Sequence, residues 1–244
     1  KPFFLYCPWT PPHAAYQIPE DEPAWKMYQD KPWPNDARVA AAMDTMMDRN
    51  VGEITALLKK LGIYQNTLMF FTSDNGAAKR FDGIHNSCGV MQGKKRSLNE
   101  GGIRVPMVVR WPGKIKAGRV SNHPWYFPDV MPTFAEIGGV STEVPEDIDG
   151  ISILPTLLDE GQQKLHEYMF WHYGVRAVRS GKWKGIGKGG HLYLYDLSKD
   201  IEENNDLSEK HPEIAARLKK YIAIAYRQPR SQKDDGKYTG RGTK

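Results

Sequence analysis

Between Asp36 and Leu61 the apolar residues Val39, Met43, Met46, Met47, Val51, Ile54, Leu57, Leu58 and Leu61 recur at the spacing of a helix face. The stretch predicts one long helix, capped by Asn35 or Asp36 and ended by Gly62, with its methionines in the core. Thr67-Leu-Met-Phe-Phe-Thr72 follows as a short apolar run of strand character, and Phe3-Phe-Leu-Tyr-Cys7 precedes the helix as another. Strand, long helix, strand is the order of a parallel α/β sheet.

A further strand is expected over Arg104–Trp111 and a short helix around Pro128–Gly138. From about Asp147 the pattern changes. Tyr168–Trp171, Val175–Gly185 and His191–Asp196 read as short antiparallel strands joined by glycine turns. An amphipathic helix over His211–Tyr226 follows them. The expected organisation is an α/β layer over 1–150, an antiparallel subdomain with its helix over 151–230, and a polar tail over 231–244. No internal repeat is present.

Composition narrows the function classes. The 244 residues are 40% hydrophobic and 26% charged, which is ordinary for a globular chain with ample core. No apolar run approaches the length of a membrane helix. The 34 basic and 29 acidic residues leave a net charge of +5. That balance suits an anionic ligand, and no nucleic-acid-binding motif argues for the polymer instead. The two cysteines, Cys7 and Cys88, form neither a disulfide framework nor a metal spacing; one bridge or two buried thiols would satisfy them. The chain opens inside a candidate strand, with no Met and no signal peptide, so it is expected to be the later part of a longer protein.

Three loops could carry chemistry, and ligands of open α/β sheets bind beyond the carboxyl ends of the strands. The first loop is Pro8-Trp-Thr-Pro-Pro12-His13, where prolines forbid regular structure and hold His13 just past a strand. The second is Ser73-Asp74-Asn75-Gly76 after the strand FFT. A carboxylate beside an amide oxygen suits a hard divalent cation, yet an Asx-turn explains the same dipeptide, and two oxygens fall short of calcium's six to eight. The third is Gly93-Lys-Lys95-Arg-Ser-Leu-Asn-Glu100-Gly-Gly-Ile-Arg104. Its lysines could hold a tetrahedral oxyanion opposite a cation, although a charge run alone is usually a solvated face.

Together these stretches resemble the sulfatase family, the formylglycine-dependent enzymes of the alkaline phosphatase-like superfamily. The resemblance rests on KPFFLYCPWTPPHAAY, AAMDTMMDRNVGEITALLKKLGIYQNTLMFFTSDNG, GKKRSLNEGGIRVPMVVRWPGKIKAGRVSNHP, PDVMPTFAEIGGV and LYDLSKDIEENNDLSEKHPEI. The arylsulfatase and N-acetylgalactosamine-6-sulfatase-like branch is the nearest in character. The resemblance implies part of an alkaline phosphatase-like sandwich with a mostly parallel sheet, and a small C-terminal antiparallel subdomain. It implies Asp74 and Asn75 as calcium ligands, with magnesium an alternative. It implies His13 and Lys95 as catalytic contacts to the sulfate and its leaving-group oxygen. Lys94 and Arg96 would be solvated, and Glu100, Gly101, Gly102 and Arg104 would be scaffold. Other implications are a sulfated small-molecule or carbohydrate substrate, no nucleic-acid partner, and export to the periplasm, the cell exterior or the lysosome.

The family's formylglycine arises from Cys or Ser in a C/S-x-P-x-R motif, and no such motif occurs in this sequence. The nucleophile and the family's Asp-Asp metal pair are therefore expected upstream of Lys1, and these 244 residues alone are not expected to cleave sulfate esters. Relatives of the branch often read SDNGPH, NSNGPLRG and YEGG where this chain has SDNGAA, NSCGVMQG and NEGG. Ala77, Ala78, Cys88, Val90, Gln92 and Asn99 thus bear on substrate choice. A phosphodiesterase or phosphonate hydrolase of the same superfamily, and a non-catalytic relative, are the alternatives.

Overall fold

The computed structural model describes residues 1–13, 15–145 and 147–227; the expected tail over 231–244 lies outside them. The chain divides into two compact units. The first comprises Lys1–Leu68, Arg80–Asn86 and Trp111–Gly113, and the second Met69–Lys79, Ser87–Arg110 and Lys114–Lys244.

Helix α1, Asn35–Lys60, dominates the first unit. Pro34 rather than Asn35 or Asp36 stands at its N-cap, and Gly62 at φ +70 follows its C-terminal turn. Lys59 and Lys60 complement the helix dipole there. The helix buries Ala37, Val39, Ala40, Ala42, Met43 and Leu58. Leu57 and Leu61, expected on the same face, are instead 53% and 59% exposed. Leu58 takes the buried position, and one step along a helix turns a side chain by about a quarter of the circle. Ahead of α1, a short 3-10 helix over Pro23–Met27 is capped by the buried carboxylate of Glu22. Arg49 of α1 grips that carboxylate at 2.5 and 2.9 Å, and its hydrogen bonds hold the acid below the usual carboxylate range despite burial.

The expected strand over Phe3–Cys7 does not form. Phe3, Phe4, Leu5 and Tyr6 are 55–76% exposed and join no ladder among the described residues. An apolar run becomes a strand only where a neighbour completes its backbone hydrogen bonds.

In the second unit, β1 (Met69–Thr72) pairs antiparallel with β2 (Met107–Arg110). The parallel pairing expected of β1 is therefore absent among the described residues. The inference depended on the strand over Phe3–Cys7; what meets β1 is β2, reached through a connection over 73–106 long enough to reverse direction. Helix α2, Glu100–Ile103, lies within that connection, and α3, Val130–Ile137, and α4, Leu154–Leu158, follow β2. The carboxylate of Asp129, fully buried, organises the start of α3. It accepts from the backbone N–H of Tyr126 and Ile151 at 2.9 and 2.8 Å and from the His166 ring at 2.8 Å.

The antiparallel subdomain forms as expected, with four strands rather than three. β3 (Met169–Tyr173), β4 (Val175–Ser180), β5 (Trp183–Lys188) and β6 (His191–Asp196) make a meander in chain order. The run expected as one strand over Val175–Gly185 turns at Gly181, whose φ of +57 lets the chain reverse. Helices and sheets together make the α/β fold.

Both faces of the meander are covered. Val178, Leu192 and Leu194 pack against Ala215 and Leu218 of α5 (Pro212–Ala225). Ala177, Ile186 and Tyr195 pack against Leu98 and Leu197, with Ile103 of α2 alongside. Residues two apart on a strand share a face, so Lys184 points with Ile186 toward the segment that holds Leu98.

At the end of this subdomain Asp206 makes a pH-sensitive staple. Burial works against its ionisation, but the N–H of Leu194, the His191 ring and Ser208 outweigh that and bring it from 3.8 to about 2. A depressed carboxyl stabilises the fold above its unfolded pKa and stops doing so as pH falls through its folded one. Asp206→Asn is expected to cost on the order of 1–2 kcal/mol at neutral pH. That difference should shrink steadily between pH 4 and pH 2 in urea melts of the two proteins, and a constant difference across that range would refute the assignment.

Candidate active site

Strand β1 delivers Ser73, Asp74, Asn75 and Gly76 to one loop, and the segment 92–102 lies directly against it. Three backbone hydrogen bonds fix this arrangement. The N–H of Gly76 donates to Gly102 O at 3.0 Å, that of Lys95 to Ala77 O at 2.8 Å, and that of Gly101 to Gln92 O at 2.7 Å. The approach is close enough to demand glycine. A Cβ on Gly76 would lie 2.0 Å from Gly101 O, and one on Gly102 would lie 2.2 Å from Ser97 O. Cys88 is buried in the same layer, its thiol donating to Gly101 O at 3.4 Å. Both cysteines are free.

The side chains of Asp74, Asn75 and Lys95 in these two loops are not spent on the fold among the described residues. In an Asx-turn, a side-chain oxygen of Asp74 or Asn75 would accept a nearby backbone N–H. Neither does among the described residues; the Ser73 hydroxyl closes the turn instead, donating to Asn75 O at 3.1 Å. Asp74 is exposed and Asn75 half-buried. The Lys95 ammonium has no partner among the described residues, although the residue is half-buried and its backbone is pinned. Lys94 and Arg96 are exposed, as expected of solvated neighbours. His13 belongs to the first unit, where it is exposed and its N–H donates to Thr10 O at 2.9 Å.

Asp74 and Asn75 offer a carboxylate and an amide oxygen, a donor set that fits a hard cation. No group of three or more His, Cys, Asp or Glu suited to a metal ion occurs among the described residues. Two oxygen donors alone fall short of the six to eight that calcium takes.

The profile of the sulfatase family matches residues 1–140. This chain is a member of the sulfatase family. A second profile, the C-terminal region of N-sulphoglucosamine sulphohydrolase, matches residues 92–228. N-acetylgalactosamine-6-sulfatase of Canis lupus familiaris is 33% identical over 75% of this chain and 34% of its own length. Steryl-sulfatase of Mus musculus is 40% identical over 56% of the chain and 23% of its own. Among solved structures, Ps i-CgsB superposes with a TM-score of 0.75 at 28% identity, covering 89% of this chain and 48% of that one. The chain thus spans from 23% to 48% of the length of these relatives.

One buried cluster next to these loops carries no local signal in the sequence. Beneath the Lys95 segment, Glu100 is buried with Lys184 of β5 and with Glu203. Glu100 itself was expected as scaffold. Lys184 lies among alternating small residues in Trp-Lys-Gly-Ile-Gly-Lys, and only its strand parity, shared with Ile186, could have turned it inward.

Proposed function

We propose that this chain carries part of the active site of a hydrolase of sulfate esters. Its substrate would be a sulfated carbohydrate. The observation that supports this best is the pair of loops pinned together by backbone hydrogen bonds, which leave the Asp74 carboxylate, Asn75 amide and Lys95 ammonium without partners among the described residues. Unspent charges of opposite sign on a rigid support suit a bound cation together with a bound anion.

In this reading Asp74 and Asn75 hold calcium, or magnesium, which would neutralise charge on the sulfate. The nucleophile would be a formylglycine, which no C/S-x-P-x-R motif of this sequence can provide. Cleaving the S–O bond builds negative charge on the bridging oxygen. Lys95 would stabilise that charge as a fixed cation. The half-buried setting of Lys95 strengthens its field relative to a fully solvated lysine.

The carbohydrate reading draws on two comparisons. The relative that aligns with three-quarters of the chain is an N-acetylgalactosamine-6-sulfatase. Structural neighbours include Ps i-CgsB in complex with k-i-k-neocarrahexaose, at a TM-score of 0.74 and 28% identity. No described helix is long and apolar enough to cross a membrane, and export is part of the proposal.

The test is hydrolysis of a fluorogenic aryl sulfate by the full-length protein, before and after chelation. We expect chelation to remove activity and added calcium to restore it. In Asp74→Ala the restoration should need far more calcium. Activity indifferent to both chelator and Asp74→Ala would overturn the metal assignment, and turnover of phosphate diesters in preference to sulfate esters would overturn the reaction class.

A further inference from the structure

We infer that Lys184 is a positioning residue for Lys95, acting through Glu100 and Glu203; the inference rests on the reading of Lys95 as a sulfate contact. Lys184 is completely buried, with its ammonium 2.7 Å from Glu100 Oε1 and 2.8 Å from Glu203 Oε1. The second oxygen of Glu203 accepts the backbone N–H of Glu100 at 2.7 Å. Arg104, half in solvent, approaches the other Glu100 oxygen at 3.6 Å and balances the remaining negative charge.

The same Glu203 region also holds the far end of the segment. The Gln92 side-chain amide donates to Glu203 O at 3.2 Å and to Asn204 Oδ1 at 2.7 Å. Gln92 and Glu100 are therefore anchored to one short stretch of chain, and Lys95 lies between the two anchors. A loop fixed at both ends to a common point has little freedom left in between, and the Lys95 N–H to Ala77 O bond removes more of it.

Two features indicate that this trio serves geometry rather than stability. Buried ion pairs are generally no more stabilising than apolar side chains of similar volume, because desolvating the charges offsets their attraction. Glu203 also sits at φ +56, a left-handed backbone that a non-glycine residue adopts at a cost. A fold needing only a filled interior would use neither. Holding a nearby ammonium to a fixed place gives both a purpose.

The test is a double-mutant cycle in the full-length protein, read as kcat/KM for a fluorogenic aryl sulfate well below the Tm of every variant. Lys184→Met should lower kcat/KM by about 10–100-fold, the usual effect of removing a residue that orients a catalytic one. In a Lys95→Ala background the same substitution should have almost no further effect. Multiplicative losses in the double variant, or an unchanged kcat/KM with only a lowered Tm, would overturn the positioning role while leaving Lys95 in place. A Lys95→Ala protein as active as the parent would overturn the reading of Lys95 and this inference with it. Should Lys184→Met not fold, Glu203→Gln carries the same cycle with the same outcomes, since it weakens the anchor while Lys184 keeps Glu100.

Discussion

Gly76→Ala should be among the most damaging single-methyl changes this chain can suffer, with a loss of about 3–5 kcal/mol or failure to accumulate as folded protein. The reason is proximity rather than backbone strain. The new Cβ would stand 2.0 Å from Gly101 O, 2.8 Å from Gly101 C and 2.9 Å from Gly102 Cα, all main-chain atoms. Main chain cannot swing aside as a side chain can, and the opposing strand of atoms is itself wedged. A Cβ on Gly101 would meet Gln92 O at 2.4 Å, so α2 has no room to retreat. Relief requires parting the two loops and breaking the Gly76 N–H to Gly102 O bond. Urea denaturation of Gly76→Ala beside Gly62→Ala separates the causes, because Gly62 has open space around it and only its positive φ to lose. Equal, small losses at the two positions would show that the loops can part without consequence.

The second large effect concerns rate rather than stability. Lys95→Ala in the full-length protein should lower kcat/KM for an aryl sulfate by about 10²–10³-fold, the scale of losing one fixed charge-stabilising group. Folding should hardly notice. The Lys95 ammonium has no partner among the described residues, and its structural contribution is a backbone N–H that alanine keeps. The same substitution at Lys94 or Arg96, both exposed, should change kcat/KM by less than about threefold. Comparable losses at all three positions would mean that the basic run acts as a diffuse field, and the specific role of Lys95 would fall.

What the sequence disclosed follows from the range of the forces involved. Local periodicity placed α1, α5, β3 and β6 to within a few residues, because side-chain spacing along one element sets those boundaries, but it ran β4 and β5 together. The Ser73-Asp74-Asn75-Gly76 turn was legible as a turn, whereas the lack of side-chain partners for Asp74 and Asn75 among the described residues was not; that depended on Ser73 closing the turn first. Pairing partners were the least legible. The apolar run at Phe3–Cys7 looked like a strand on composition, yet ladder formation depends on a neighbour that no local pattern specifies. The antiparallel β1–β2 pair was missed for the same reason. Lys184 was invisible because lysine is ordinarily solvated, and its burial makes sense only once two acids from distant parts of the chain converge on it.

The distances in sequence behind that convergence have a bearing on how the molecule is made. Lys184 lies 84 residues after Glu100, and Glu203 lies 103 after it. As a growing chain emerges from the ribosome, the stretch bearing Lys95 is synthesised long before the residues that anchor it. Until β5 is laid down and Glu203 has followed, Glu100 lacks its Lys184 partner and Gln92 its acceptor at Asn204. Contacts of such separation close late, after the local helices and hairpins have formed. The loop bearing Lys95 should therefore settle late, its ordering timed by the arrival of Lys184 and Glu203 rather than by its own sequence.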